Sequence, residues 1–131
     1  VLHIWDVAKA TRVKKLHLPR GAGGAGIPRR AVLSHDARYL VYSAASFDDK
    51  GGNVYVLDLE TEKLGILTRL PNKKVCLALA PDDNTLAVAS SFGPVQLWDL
   101  RQKTKLGESM STKLDYAHLA FSPDGKRLAV G

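Results

Sequence analysis

The chain of 131 residues holds one cysteine, Cys76. An intrachain disulfide is therefore excluded, and so is a zinc centre built on clustered thiolates. No apolar run approaches the roughly 20 residues that a membrane-spanning helix needs, and no signal peptide is visible. No membrane partner is expected, and a single thiol fits a reducing, cytoplasmic compartment. The only methionine is Met110 and the first residue is Val1, which points to a processed or excised piece. Acidic residues are scarce at the start. Lys9, Arg12, Lys14, Lys15, Arg20, Arg29 and Arg30 stand there against Asp6 alone, whereas the rest of the chain is balanced, within a net charge of +6.

What the sequence does have is a repeat. The run Val95-Gln96-Leu97-Trp98-Asp99-Leu100 alternates apolar and polar residues and closes on Trp-Asp. It recurs at Leu2-His3-Ile4-Trp5-Asp6-Val7 and, with Leu for Trp, at Val54-Tyr55-Val56-Leu57-Asp58-Leu59. Period-two alternation marks half-buried strands. Residues 1 to 7 read as such a strand, with Thr11 to Leu18 as its hairpin partner across Ala8-Lys9-Ala10.

A second unit also occurs three times. Ser34-His35-Asp36-Ala37-Arg38, Ala80-Pro81-Asp82-Asp83-Asn84 and Ser122-Pro123-Asp124-Gly125-Lys126 each precede an apolar strand. Proline pre-sets φ, Asp or Asn bonds back to the backbone, and Gly125 can take positive φ, so each is a tight turn between strands. The first unit begins its strand at Arg30. In the second, Val75, Leu77 and Leu79 alternate as a packing face.

A hairpin with Ser-Pro-Asp-Gly at its turn, a small-residue strand such as Leu128-Ala129-Val130 and then a Trp-Asp strand resembles the WD-repeat family of β-propellers. The resemblance covers essentially the whole chain, and Asp36, Asp82 and Asp124 recur at close to the family's period. It implies an all-β fold of four-stranded antiparallel blades. It also implies a non-enzymatic scaffold for a protein or peptide partner, an inference from fold alone. The family's Gly-His dipeptide is missing, Thr112 stands at the position matched with its His, and the loop Ser91-Phe92-Gly93-Pro94 lacks its Asp.

With each blade's strands labelled a to d from the centre outward, residues 1–18 supply c and d, and 30–70 and 74–110 supply whole blades. Residues 114–131 supply a and b, so 1–131 is one partial propeller. Four to eight blades make the usual ring. A longer parent chain could complete it, or the half-blades of neighbouring copies could pair head to tail. Two copies would then give about six blades and three about nine, which favours the homo-dimer. Leu2 to Val7 should pair with Lys126 to Gly131 of a neighbouring molecule, with Leu2, Ile4, Trp5, Leu128 and Val130 at the junction.

Loops carrying Arg29, Phe47 and Phe92 should line a partner-binding rim. Trp98-Asp99-Leu100-Arg101 resembles a Trp-Asp-x-Arg box with which some members dock ubiquitin-ligase adaptors. The alternative partner is an anionic polymer such as nucleic acid, drawn to the basic first thirty residues. No aromatic stacking residue is interleaved with those charges, so a solvated edge is the simpler account.

Catalytic and cofactor signals are thin. The connector from Arg20 to Pro28 is glycine-rich but lacks the Gly-Lys-Ser/Thr of a phosphate loop, and no helical pattern follows it. His3, His17, His35 and His118 lack metal-site spacing. Ser34-His35-Asp36 has triad residue types, but three consecutive residues cannot set a base against a nucleophile. Asp48-Asp49-Lys50-Gly51-Gly52-Asn53 lacks the later bidentate Glu of a calcium loop. The expectation is no catalytic residue, no metal and no cofactor.

Overall fold

A computed structural model describes residues 1–18, 28–45, 51–72, 74–111 and 118–131. Most of the glycine-rich connector, Phe47, Asp48 to Lys50 and Thr112 lie outside the described residues. Among the described residues twelve strands run in chain order: β1 (Leu2–Asp6), β2 (Thr11–Leu16), β3 (Pro28–Leu33), β4 (Tyr39–Ala45), β5 (Gly52–Asp58), β6 (Leu64–Leu70), β7 (Val75–Leu79), β8 (Thr85–Ser90), β9 (Val95–Asp99), β10 (Thr104–Met110), β11 (Leu119–Phe121) and β12 (Leu128–Val130). They form antiparallel sheets of β1-β2, β3-β4-β5-β6, β7-β8-β9-β10 and β11-β12.

The middle strands are apolar on both faces because sheets pack on both of their sides. In β8, Leu86, Ala87, Val88 and Ala89 are all buried, and in β4 so are Leu40, Val41 and Tyr42. The outer strand β10 is mostly exposed. β3 starts at Pro28, two residues earlier than the sequence pattern suggests. As the first residue of a strand bonded only to β4, proline costs no interior ladder bond.

Three apolar layers join the sheets. Leu2 and Ile4 of β1 pack against Leu40, Tyr42, Tyr55 and Leu57. On the opposite face of that sheet, Val41, Val54 and Val56 meet Leu77, Leu79, Leu86, Val88 and Trp98, with Val75 in the same cluster. Beyond β7-β8-β9, Cys76, Ala78, Ala87 and Ala89 meet Leu119, Phe121, Leu128 and Val130. The order of layers thus follows the order of the chain. In the last layer one face is small and the other large; across the layers each fully buried Leu or Val contributes about 1.5–3 kcal/mol.

Candidate functional site

Three turns of one design line one rim of the stack. In the first, the Ser34 hydroxyl donates to Asp36 Oδ1 at 2.5 Å, and the Arg38 amide donates to both Ser34 Oγ and Asp36 Oδ1. The last repeats this: Ser122 donates to Asp124 Oδ1 at 2.5 Å, and the amides of Lys126 and Arg127 close the loop. The Ser34 hydroxyl, and then the Arg38 amide, hold the Asp36 carboxyl below its usual range. Asp124 is lowered in the same way by Ser122 and Lys126. The middle turn has Ala80 where the others have serine. There the hydroxyl comes from Thr85, which donates to Asp82 Oδ2 at 2.6 Å while its amide donates to Oδ1 at 2.8 Å. Burial alone would raise the Asp82 pKa, but these bonds outweigh it and lower it.

The third residue after each turn's first, Ala37, Asp83 or Gly125, has positive φ (56°, 56° and 70°). Asp83 and Gly125 meet the turn of the preceding sheet. Asp83 accepts the His35 amide at 2.7 Å and the Asp36 amide at 3.1 Å, and its Oδ1 lies 2.8 Å from His35 Nδ1. At Gly125, a Cβ would stand 3.4 Å from the Pro81 ring. The Ser34-His35-Asp36 run is therefore a turn in which His35 serves an adjacent sheet and Ser34 serves its own loop.

A second relationship ties each turn to the Asp that closes the Trp-Asp strand. Arg38 Nη2 lies 3.4 Å from Asp58 Oδ2, and the Leu59 amide donates to the Arg38 carbonyl at 2.8 Å. Asn84 Nδ2 donates to Asp99 Oδ2 at 2.8 Å, and the Leu100 amide donates to the Asn84 carbonyl at 2.9 Å. Amides of the following turn, Thr61 first for Asp58 and Gln102 first for Asp99, keep both carboxyls below the ordinary range. Leu59 and Leu100 are 8% and 2% exposed. At the third copy, Asp6 accepts the Lys9 amide but has no partner from a turn among the described residues, and Val7 is 91% exposed.

The residues singled out in the sequence fall in three places. Leu2 and Ile4 are half-buried against the β3–β6 sheet, while Trp5, on the other face of β1, is 57% exposed. Leu128 and Val130 are half-buried against β7-β8-β9. Arg29 and Phe92 are exposed on the opposite rim from the three turns, where β3 begins and the β8-to-β9 loop lies. Phe92 holds a φ of 57° at 69% exposure. Beside it Asn72 Nδ2 donates to the Ser91 carbonyl at 2.6 Å. In the Trp-Asp-x-Arg run, Trp98 is half-buried and donates to Gln96, Asp99 is held by Asn84 and Gln102, and Arg101 is exposed.

The sequence pattern does not reveal a groove of about 450 Å³ between β1-β2 and the first turn, lined by Ile4, Lys14, Asp36, Ala37, Arg38 and Glu60 among others. Lys14 crosses its edge, donating to the Leu59 carbonyl at 2.7 Å and pairing with Glu62 at 3.0 Å. Tyr42 is wholly buried in the same layer, stacked on Tyr55, and its hydroxyl has no hydrogen-bond partner among the described residues. Burial, and then Tyr55, push its pKa up to about 12. Among the described residues, no three His, Cys, Asp or Glu side chains are grouped to hold a metal.

The sequence matches no protein-family model and no curated protein. Solved structures resemble it in fold. The β-propeller domain of the trilobed protease from Pyrococcus furiosus, described as having an open velcro topology, superposes with a TM-score of 0.69 at 14% identity, over 98% of this chain and 38% of that one. Kuenenia stuttgartiensis hydrazine synthase gives 0.66 at 22% identity, over 89% of this chain and 32% of that one. TolB from Acinetobacter baumannii gives 0.63 at 21%, over 79% and 26%. The chain spans between about a quarter and two fifths of these structures. Together with the four-stranded antiparallel sheets, they show that the fold is that of β-propeller blades.

Proposed function

We propose that this chain is a section of a non-enzymatic propeller of the WD-repeat kind, an interaction scaffold whose ring is completed by strand exchange between two copies. The observation that carries this reading is the pair of open edges. Among the described residues, β1 is bonded only to β2, and β12 only to β11. Gly131 and His118 exchange both backbone bonds, so Val130, next along the strand, turns its N–H and C=O to the open side. The end faces also suit one another. Ala120 and Ala129 are exposed on the outer face of β11-β12, like the small residues of the layer before it, and Leu33 is 41% exposed at the other end of the stack. The exposed Phe92, held with positive φ on the rim, supports a role in docking a protein or peptide.

Sedimentation of the full chain tests the assembly. A two-chain particle is expected, and Val130→Pro, which removes an edge donor without touching the bonds to β11, should return it to monomer. A well-folded wild-type monomer sinks the strand-exchange reading.

A second reading has its own observation: His3, Arg12 and Lys15 share the exposed face of β1-β2, where they could meet an anionic polymer. Affinity for a nucleic acid that falls steeply between low and high salt would favour it.

A further inference from the structure

The groove between β1-β2 and the first turn has the position of a missing turn. Two turn-to-turn contacts are present in the stack: Asp83 on the turn of His35 and Asp36, and Gly125 on Pro81. In each, the positive-φ residue of one turn rests on the second residue of the turn before it. Ala37 has the same positive φ, and among the described residues no turn precedes it, only the groove that it lines with Asp36 and Arg38.

The strand beside that groove has a matching gap. Asp58 and Asp99 each receive a side chain from the residue four places after the first of the turn, Arg38 and Asn84, and Leu59 and Leu100 each donate to that residue's carbonyl. Their counterparts Asp6 and Val7 have neither contact among the described residues. The residue aligned with Arg38 and Asn84 in the third turn is Lys126. It is a cation; within the groove Asp36 and Glu60 are balanced by Lys14 and Arg38, so its counterpart is the carboxylate of Asp6, the last residue of β1.

We infer that the Ser122–Arg127 turn of a second copy of this chain seats in this groove, with Pro123 against Ala37, Lys126 paired with Asp6, and the Val7 amide donating to the Lys126 carbonyl. This rests on the strand-exchange reading and deepens it, because it fixes the register. Arg127 then lies opposite Asp6, Leu128 opposite Trp5, Ala129 opposite Ile4 and Val130 opposite His3, as Thr85, Leu86, Ala87 and Val88 lie opposite Asp99, Trp98, Leu97 and Gln96. In that register Trp5 shares a face with Leu128, and so turns towards the sheet whose Leu106 and Met110 are 37% and 40% exposed. The exposure of Trp5 and Val7 is thereby accounted for by one occupant.

Charge exchange on the full chain tests the seat. Asp6→Lys and Lys126→Asp should each weaken the dissociation constant of the assembly about ten-fold at low salt, and the double variant should recover most of it. In Ala37→Cys/Pro123→Cys, mild oxidation should give a covalent two-chain species that neither single variant gives. If the two-chain particle forms but the charges do not compensate and no cross-link appears, the seat and register are wrong while strand exchange stands. If the wild-type chain is a monomer, both fail.

Discussion

The Asp83 carboxylate lies across the amide of His35, 48 residues earlier in the chain, at 2.7 Å. It also accepts the Asp36 amide at 3.1 Å. A side chain of one sheet thus satisfies backbone donors of the next, so the register between blades is fixed by polar bonds as well as by apolar layers.

This contact should make the stack acid-sensitive. Burial by itself would raise the Asp83 pKa, but the amide and ring of His35 and the amide of Asp36 outweigh it and lower it. A carboxyl lowered on folding stabilises the folded state above its unfolded pKa of about 4, and that contribution is lost as pH falls through the folded value. Asp83→Ala is expected to cost about 1 kcal/mol in urea unfolding at pH 7. The gap from wild type should shrink at pH 3, and an unchanged gap would show that the carboxylate's charge plays no part.

The middle turn can be rewritten in the form of its neighbours. Thr85→Val removes the hydroxyl bonded to Asp82 and should cost about 1 kcal/mol. Adding Ala80→Ser places a hydroxyl where Ser34 and Ser122 have theirs, and part of the loss should return. If the double variant is no more stable than Thr85→Val alone, the two hydroxyls are not equivalent.

At the other rim, Phe92→Gly should raise stability despite removing a large side chain. The ring is 69% exposed and the backbone sits at a φ of 57°, a conformation that costs an L-residue roughly 1–2 kcal/mol and glycine little. Thermal melting would read the gain. A drop in melting temperature would mean that the ring packs on the loop.

Leu86 is wholly buried opposite Trp98. Leu86→Ala should cost about 2–5 kcal/mol, with Trp98 fluorescence reporting the same transition as circular dichroism. Two separated transitions would mean that the layers unfold independently.

Much of this fold is legible in the sequence because it is local. Alternation in Val95 to Leu100 marks a strand, and Pro-Asp or Ser-x-Asp marks a turn, since strand faces and turn bonds involve residues only a few positions apart. Gly125 takes the positive φ that its turn suggests. Contacts between blades are not legible in this way. Nothing near Asp83 signals His35, and the hydroxyl lost at Ala80 is replaced from the other end of the loop by Thr85, so the motif looks broken where its geometry is intact. The groove is hidden for the same reason, as its walls come from residues 4 to 60.

Proline at the second turn position has one more consequence. Pro81 and Pro123 have no amide hydrogen, so neither turn can offer the donor that His35 offers to Asp83. Gly125 meets Pro81 through bare contact instead, and Asp83 in its place would leave one oxygen facing a ring that cannot bond it. The repeats are therefore not interchangeable parts: each turn fits the neighbour it has. Shuffling the order of the blades should leave every hairpin intact and still yield a poorer stack, because the sequence carries an address for each blade as well as a shape.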